Sequence, residues 1–429
     1  MPKFKPHCRK CAVQIHNCIS ILYGPEYIYS MVLIKRHLEK PLARTASSFP
    51  AIWITGPRQA GKTTLAKTVF SGYSYVSFED IDMRSFAGND PRAFLRQFPD
   101  RVILDEVQKC PGILSYLQTH IDSLGGSGHF VLTGSHQFQL AASISQSLAG
   151  RVAIINLLPF SLSELYALKP SPVESNAAEA DILPSRYTLE KILFQGMYPA
   201  IHGRKIDPAQ WLSSYYATYL ERDVREVTNV RDLHQFDTFA RLCAARTGSL
   251  INFSDIANNC GTSMGTIKSW LSILELSGII KLVRPYFANY SKRLVKQPKL
   301  YFLDTGLLCY LLRITKESQL AFHPLKGRIF ETFVVSEIIK SYYNRQEEPP
   351  LYFWRDHKGR EIDALLDFGT YQLPIEIKAS ETINESFFDT LRWWLALPGN
   401  NAKKGVIMYG GKDGQAREEI AVRSWRQSL

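Results

Sequence analysis

Short apolar runs alternate with helix-period segments along the chain, and each run closes on a glycine or a polar residue. Ala51-Ile-Trp-Ile-Thr55 is long enough for a buried strand and breaks at Gly56; Leu65-Ala-Lys-Thr-Val-Phe70 then reads as a helix. Arg101-Val-Ile-Leu-Asp105-Glu106 and His129-Phe-Val-Leu-Thr133-Gly134-Ser135 repeat the apolar run with a polar end. Strands alternating with helices predict a parallel α/β sheet. Upstream, Leu33, Leu38 and Leu42 predict a helix that begins near Met31 and feeds the first strand. Between 151 and 230 the helical patterns are broken by Pro159, Pro170, Pro172, Pro184, Pro199 and Pro208. This predicts a small helical lid, with the Pro/Ser/Ala-rich stretch 169–184 as a flexible surface loop.

Further on, a short helix capped by Ser254 and a turn at Cys260–Ser263 precede a second helix over 263–277. That helix carries Ile267, Trp270, Leu271 and Leu274 on one face and closes at Gly278. Strands at Ile279–Val283 and Lys299–Phe302 follow, with Lys292, Arg293 and Lys296 between them. The order predicts a winged helix. Its second helix either contacts DNA or serves as a packing surface, and Lys268 is its only positive charge, too little for strong base readout. The C-terminal third opens with a helix on which Glu331 shares a stripe with Val335, Ile338 and Tyr342. Two strands come next, around Glu361-Ile-Asp363 and Gln372-Leu-Pro-Ile-Glu376-Ile-Lys378.

Chemistry sharpens this reading. Gly56-Pro-Arg-Gln-Ala-Gly61-Lys62-Thr63-Thr64 is GxxxxGK[ST] between a strand and a helix, the setting in which backbone N–H groups and a helix N-terminus cradle phosphate. Lys62 is expected to reach the β- and γ-phosphates and Thr63 to ligate Mg²⁺. Asp105 is expected to hold the ion through its water shell, and Glu106 to polarise the attacking water. The polar end of the strand 129–135 is expected to lie between the P-loop and the acidic strand in a parallel sheet, where Ser135 or Thr133 serves as a γ-phosphate sensor or simply ends the strand in a turn. In the C-terminal third, alternation puts Glu376 and Lys378 on one face of their strand, with Asp363 opposite. Carboxylates this close repel unless a cation joins them, so Glu331, Asp363 and Glu376 are candidate Mg²⁺ or Mn²⁺ ligands and Lys378 a candidate water-orienting cation. A buried ion network of Glu331, Asp363 and Lys378 is the alternative.

Composition adds limits. Hydrophobic residues are 45% and charged residues 21% of 429, a folded-protein balance that excludes collagen, long coiled coil and disorder and suggests roughly three domains. No apolar run reaches the ~18 residues of a membrane span. Seven cysteines, a sparse and odd count, fit reduced thiols in a cytoplasm better than a disulfide framework. A net charge of +11 is compatible with a polyanion partner. Residues 1–30 show no core pattern, and Cys8, Cys11, His16 and Cys18 match no standard zinc spacing. We expect a disordered or spurious extension there.

The P-loop, Leu-Asp-Glu-Val-Gln (104–108) and Leu-Thr-Gly-Ser (132–135), in this order, resemble the AAA-type ATPases. With Leu-Ala-Gly-Arg (148–151), Leu-Pro-Phe-Ser-Leu-Ser-Glu-Leu (158–165), Tyr-Leu-Glu-Arg-Asp-Val (219–224) and Lys-Leu-Tyr-Phe-Leu-Asp-Thr-Gly-Leu (299–307), the chain resembles a prokaryotic family that pairs such an ATPase with an uncharacterised C-terminal domain. His136 departs from that pattern, where a second small hydroxyl residue is common. Glu331 with Asp363…Glu376-x-Lys378 resembles the core of restriction-endonuclease-like proteins. These resemblances imply an ATPase core over 31–158, a helical lid over 159–231, a winged helix over 232–310 and a restriction-endonuclease-like domain over 311–429. They also imply ATP and Mg²⁺ as cofactors, DNA as partner and a homo-oligomer. Arg151, after a glycine at an element boundary, and Arg222, within Glu-Arg-Asp, each read either as an arginine finger or as a salt-bridged surface residue. Three functions stay open: an ATP-driven, DNA-acting protein with a metal-dependent nuclease, an ATP-dependent switch whose C-terminal domain binds without cutting, and a nucleotide-regulated interaction protein.

Overall fold

The apolar run 51–55 forms β1 (Ala51–Thr55), all five residues buried. Its side chains alternate between two cores: Ala51 and Trp53 face one, Ile52 and Ile54 the other. A strand covered on both faces reads as a continuous apolar run, which is why the sequence shows no polar alternation there. The computed structural model describes residues 33–134, 147–175, 180–204, 206–219, 224, 233–287, 297–398, 400–417 and 419–429, and Ile34–Leu429 form one compact unit. The candidates Cys8, Cys11, His16 and Cys18, Ser135 and His136, Arg222, and Lys292, Arg293 and Lys296 lie outside the described residues.

The first sheet is parallel, in the order β2 (Ser74–Ser77), β3 (Val102–Asp105), β4 (Phe130–Thr133), β1, β5 (Val152–Asn156). One face is covered by α1 (Glu39–Ala46) and α2 (Lys62–Val69), the other by α3 (Ile81–Asn89), α4 (Pro91–Gln97) and α5 (Ile113–Leu124). β4 between β1 and β3 brings the polar ends of three strands to one edge. The first helix starts later than its spacing predicts: Leu38 and Leu42 are buried, but Leu33 precedes the helix.

The segment expected to form a lid contains α6 (Leu162–Leu165), α7 (Leu189–Gln195), α8 (Pro199–Arg204) and α9 (Pro208–Tyr219). The described parts of the stretch 169–184, namely 169–175 and 180–184, are better anchored than its composition suggests. Val173 and Leu183 are buried, and Arg423 and Arg426 donate to the Ser171, Pro172 and Leu183 carbonyls. Next come α10 (Leu233–Ala245), β6 (Ser249–Leu250), α11 (Phe253–Cys260), α12 (Met264–Leu276), β7 (Ile280–Pro285) and β8 (Lys299–Phe302). Asn252 caps α11 by accepting from Asp255 N; Ser254, the cap expected from sequence, instead donates to Asn252. Asn and Ser are both good caps, so position relative to the first turn decided between them.

After α13 (Thr305–Leu311) comes the long α14 (Lys326–Tyr343), which packs on β8 and on β11 (Gln372–Lys378); β9 (Leu351–Arg355) and β10 (Glu361–Asp367) lie between α14 and β11 in sequence. The crossover helix α15 (Ser386–Leu395) leads to β12 (Gly405–Tyr409), β13 (Gln415–Arg417) and β14 (Ile420–Ser424). The boundary expected near 310 does not separate two sheets. β7 pairs with β9, and β6–β14 form one sheet of nine strands, ordered β13-β14-β12-β11-β10-β9-β7-β8-β6. A single apolar core runs from Leu158 through this sheet to Leu429.

Candidate nucleotide site and C-terminal carboxylate site

The loop after β1 depends on backbone that only certain residues adopt. Gly56 has φ 140°, and a Cβ there would stand 2.0 Å from the Leu157 carbonyl oxygen; glycine alone fits. Gln59 (φ 62°) and Gly61 (φ 98°) also take positive φ as the loop enters α2. Lys62 is buried, and its Nζ donates to the carbonyls of Gly56 (3.0 Å) and Pro57 (2.8 Å). The ammonium therefore rests on its own loop, where a phosphate oxygen can replace the carbonyls. Thr64, in the first turn of α2, is exposed.

Asp105 ends β3 buried, in a cage of hydroxyls. Thr63 Oγ1 donates to its Oδ1 at 2.8 Å, Tyr75 donates to its Oδ2 at 2.8 Å, and Thr133 from the end of β4 also donates to Oδ1. Thr63 and Asp105 thus meet from two elements, a hydroxyl–carboxylate pair whose oxygen chemistry fits Mg²⁺. Of the two sensor candidates, Thr133 lies among the described residues and touches this pair. Glu106 has φ 57°, strained for a residue with a Cβ, and its carboxylate accepts from the Gln108 amide. Arg151 precedes β5, at the end of the sheet away from the loop, and makes a two-pronged ion pair with Asp122 (2.6 and 2.8 Å).

The nucleotide loop also touches the hairpin unit, the antiparallel pair β7–β8 with the turn that enters it. Gly278, at φ 69° between α12 and β7, lies so close that a Cβ would be 2.8 Å from Pro57 Cδ. Pro57 is the second residue of the loop, one of the two whose carbonyls hold Lys62.

The second constellation gathers at the other sheet. A bulge places two β10 residues, Asp363 and Ala364, opposite the single Phe353 of β9. Ile362 and Leu365 therefore both join the core under α15, which an unbroken alternation forbids. Asp363 Oδ2 accepts from Ile377 N at 2.8 Å and lies 3.8 Å from Lys378 Nζ; Lys378 also pairs with Glu376 Oε1. From α14, Glu331 Oε1 accepts from Tyr301 OH at 2.6 Å and Lys299 Nζ at 3.2 Å, and Lys299 pairs with Glu361 as well. Burial, then Asp363, push Glu331 up to about 7 against the pull of Lys299. The same two causes, opposed by Lys378, push Glu376 up to about 8. Burial alone would lower Lys378, but Asp363 and Glu376 outweigh it and raise it. Glu376 Oε2 is buried without a hydrogen-bond partner.

Sequence reasoning proposed Glu331, Asp363 and Glu376 as metal ligands. The structure gathers them, but among the described residues no three His, Cys, Asp or Glu side chains are grouped to hold a metal ion. Ammonium groups stand in the cation positions instead: Lys378 between Asp363 and Glu376, Lys299 between Glu331 and Glu361. The carboxylate chemistry and the orphaned Glu376 oxygen suit a divalent cation only once Lys378 withdraws.

Residues 48–166 match the family described as an AAA domain. Residues 48–166 thus carry an AAA-type P-loop ATPase-like domain. Beyond this domain, residues 186–318 and 326–426 match two families described only as domains of unknown function, DUF8612 and DUF4143. Uncharacterized proteins of Mycobacterium bovis and Mycobacterium tuberculosis are each 28% identical over 359 residues, 83% of this chain and 76% of theirs. A Walker-type ATPase of Pyrococcus abyssi is 14% identical, over 65% of this chain and 96% of its own, with a TM-score of 0.42. No helix among the described residues is long and apolar enough to cross a membrane.

Around the AAA-type domain, Tyr75 escaped the sequence reading because it stands alone on an edge strand. Lys299, Tyr301 and Glu361 escaped it too. The period-2 spacing of Lys299 and Tyr301 on β8 was the available signal, since it puts both on one face.

Proposed function

We propose that the protein is an ATP-hydrolysing, Mg²⁺-dependent switch that acts on DNA. The observation that carries this reading is the meeting of Thr63 and Asp105 beside a glycine-turned loop whose lysine is parked on its own carbonyls. Phosphate oxygens would take Lys62 from Gly56 and Pro57; Thr63 and Asp105 would hold the Mg²⁺, which supplies charge neutralisation between the phosphates. Glu106 would leave Gln108 and orient water. The sequence of elements α10, β6, α11, α12, β7 and β8 supports reading 232–310 as a winged helix, and Pro57 against Gly278 gives nucleotide a physical route to it. The cytoplasm and self-association belong to the same proposal. Equilibrium binding of ATP-Mg²⁺ and steady-state hydrolysis test it, together with the salt dependence of duplex binding in the two nucleotide states. Hydrolysis without Mg²⁺, or duplex affinity indifferent to salt, would count against it.

A second reading is favoured by the cluster at Glu376: residues 326–426 as a restriction-endonuclease-like domain that cleaves phosphodiesters. Asp363, Glu376 and Glu331 would hold the cation that activates water; Lys378, released from Glu376, would orient that water and help stabilise the charge that develops on the phosphate. Plasmid incubated with Mg²⁺ or Mn²⁺ tests this reading. Cleavage by wild type and none by Asp363→Asn supports it, whereas an intact plasmid in every metal leaves the domain as a binding module.

A further inference from the structure

Resting on that cleavage reading, we infer that Lys299 and Tyr301 of the hairpin unit are positioning residues of the C-terminal site and fix the direction of the Glu331 carboxylate. The two lie on β8, outside the region 326–426, and reach the site because β7 and β8 belong to its sheet. Lys299 is 2% exposed, and its ammonium sits between Glu331 and Glu361. Tyr301 is completely buried and gives its hydroxyl to the same Glu331 oxygen.

Cohesion alone is a poor reason for this arrangement. A buried ion pair is often no better for stability than apolar residues of similar volume, and Phe would fill the Tyr301 site without a polar group to satisfy. What Lys299 and Tyr301 supply that Met and Phe cannot is two donors converging on Glu331 Oε1 from one rigid strand. Glu331 stands on α14 and shares Lys299 with Glu361, two residues before Asp363 on β10, so its orientation decides how the carboxylates face one another. The site is then built from both sequence regions, and the Lys299-x-Tyr301 spacing has a purpose beyond strand formation.

The test uses the full chain with Tyr301→Phe, Lys299→Met and Lys299→Arg, and measures plasmid cleavage with Mn²⁺. Removal of a group that orients a site residue typically costs about 10–100-fold. We expect that loss in kcat for Tyr301→Phe, with KM for plasmid and the ATPase rate unchanged. Lys299→Arg should recover most of what Lys299→Met loses. In parallel, thermal unfolding of metal-free protein is measured for Tyr301→Phe alone and on a Glu331→Gln background. Measured well above the pH at which Glu331 takes up its proton, the drop in Tm should shrink on that background, because the hydroxyl has lost its charged acceptor. Wild-type kcat in Tyr301→Phe, or an equal Tm drop on both backgrounds, overturns the inference. If wild type cuts nothing, the cleavage reading falls by itself, and the unfolding comparison still decides whether Tyr301 holds Glu331.

Discussion

Glu376→Gln should change stability in a way that depends on pH, and the sign comes from burial. Glu376 Oε1 is held by Lys378, while Oε2 is buried with no partner, and burial followed by Asp363 lifts the group from 4.5 to about 8. In the unfolded chain the same carboxyl loses its proton near its ordinary value. Between the two values the folded protein holds a proton that the unfolded one has released. The stabilisation tied to that proton is complete below the unfolded pKa and is lost as pH rises through the folded one. The slope for one group is about 1.4 kcal/mol per pH unit, so from about pH 6 to about pH 8 the cost approaches ~2–3 kcal/mol. Gln keeps the shape and never ionises. We predict that the two proteins have similar stability near pH 6, and that the variant is the more stable by about 2 kcal/mol near pH 8. Urea unfolding at a series of pH values measures the difference, and groups that titrate identically in both proteins cancel. A difference that stays constant across the range would refute the assignment of an orphaned carboxylate.

Three further outcomes are expected. Lys62→Ala should abolish tight ATP binding, read by calorimetry, because it removes the ammonium that leaves the loop carbonyls for phosphate. Glu106→Gln should bind ATP like wild type and hydrolyse it at least ~100-fold more slowly; turnover at the wild-type rate would remove Glu106 from its role. Gly278→Ala places a Cβ against Pro57 and a side chain at positive φ, costing about 1–2 kcal/mol for the conformation alone. It should lower both Tm and ATP affinity, whereas a change in Tm with unchanged affinity would mean that the loop does not feel the hairpin.

The nucleotide site was legible because its chemistry is local. Gly56, Gly61, Lys62 and Thr63 lie on one strand–loop–helix, and Asp105 ends the next run of the same character. The place of β4 was legible too: a sensor at its polar end has to lie between the P-loop and the acidic strand, and the sheet has β4 between β1 and β3. The C-terminal site was half legible. Glu376 and Lys378 follow from alternation, but Asp363 owes its direction to a bulge, and bulges leave no period to detect. Lys299 and Tyr301 depend on β7 pairing with β9 across more than sixty positions of sequence (Arg284 with Tyr352), and no local pattern encodes a partner that distant. The late start of α1 and the Asn252 cap are ordinary one-turn competitions between neighbouring residues of similar propensity.

The β7–β9 pairing has a consequence for how this protein can be divided. The two regions of unknown function meet between residues 318 and 326, yet the sheet passes straight over that boundary. A fragment ending there would leave β7 with a bare row of backbone donors and acceptors, and the complementary fragment would leave β9 the same way; such edges invite self-association. The first fragment would also carry Lys299 without Glu331 and Glu361, and the second would carry both carboxylates without their ammonium. Each half is therefore expected to be insoluble alone and to recover when the two are produced together. Selection would then act on the pair as one inherited unit, with exchange of either region between relatives penalised unless β7, β8 and β9 travel together.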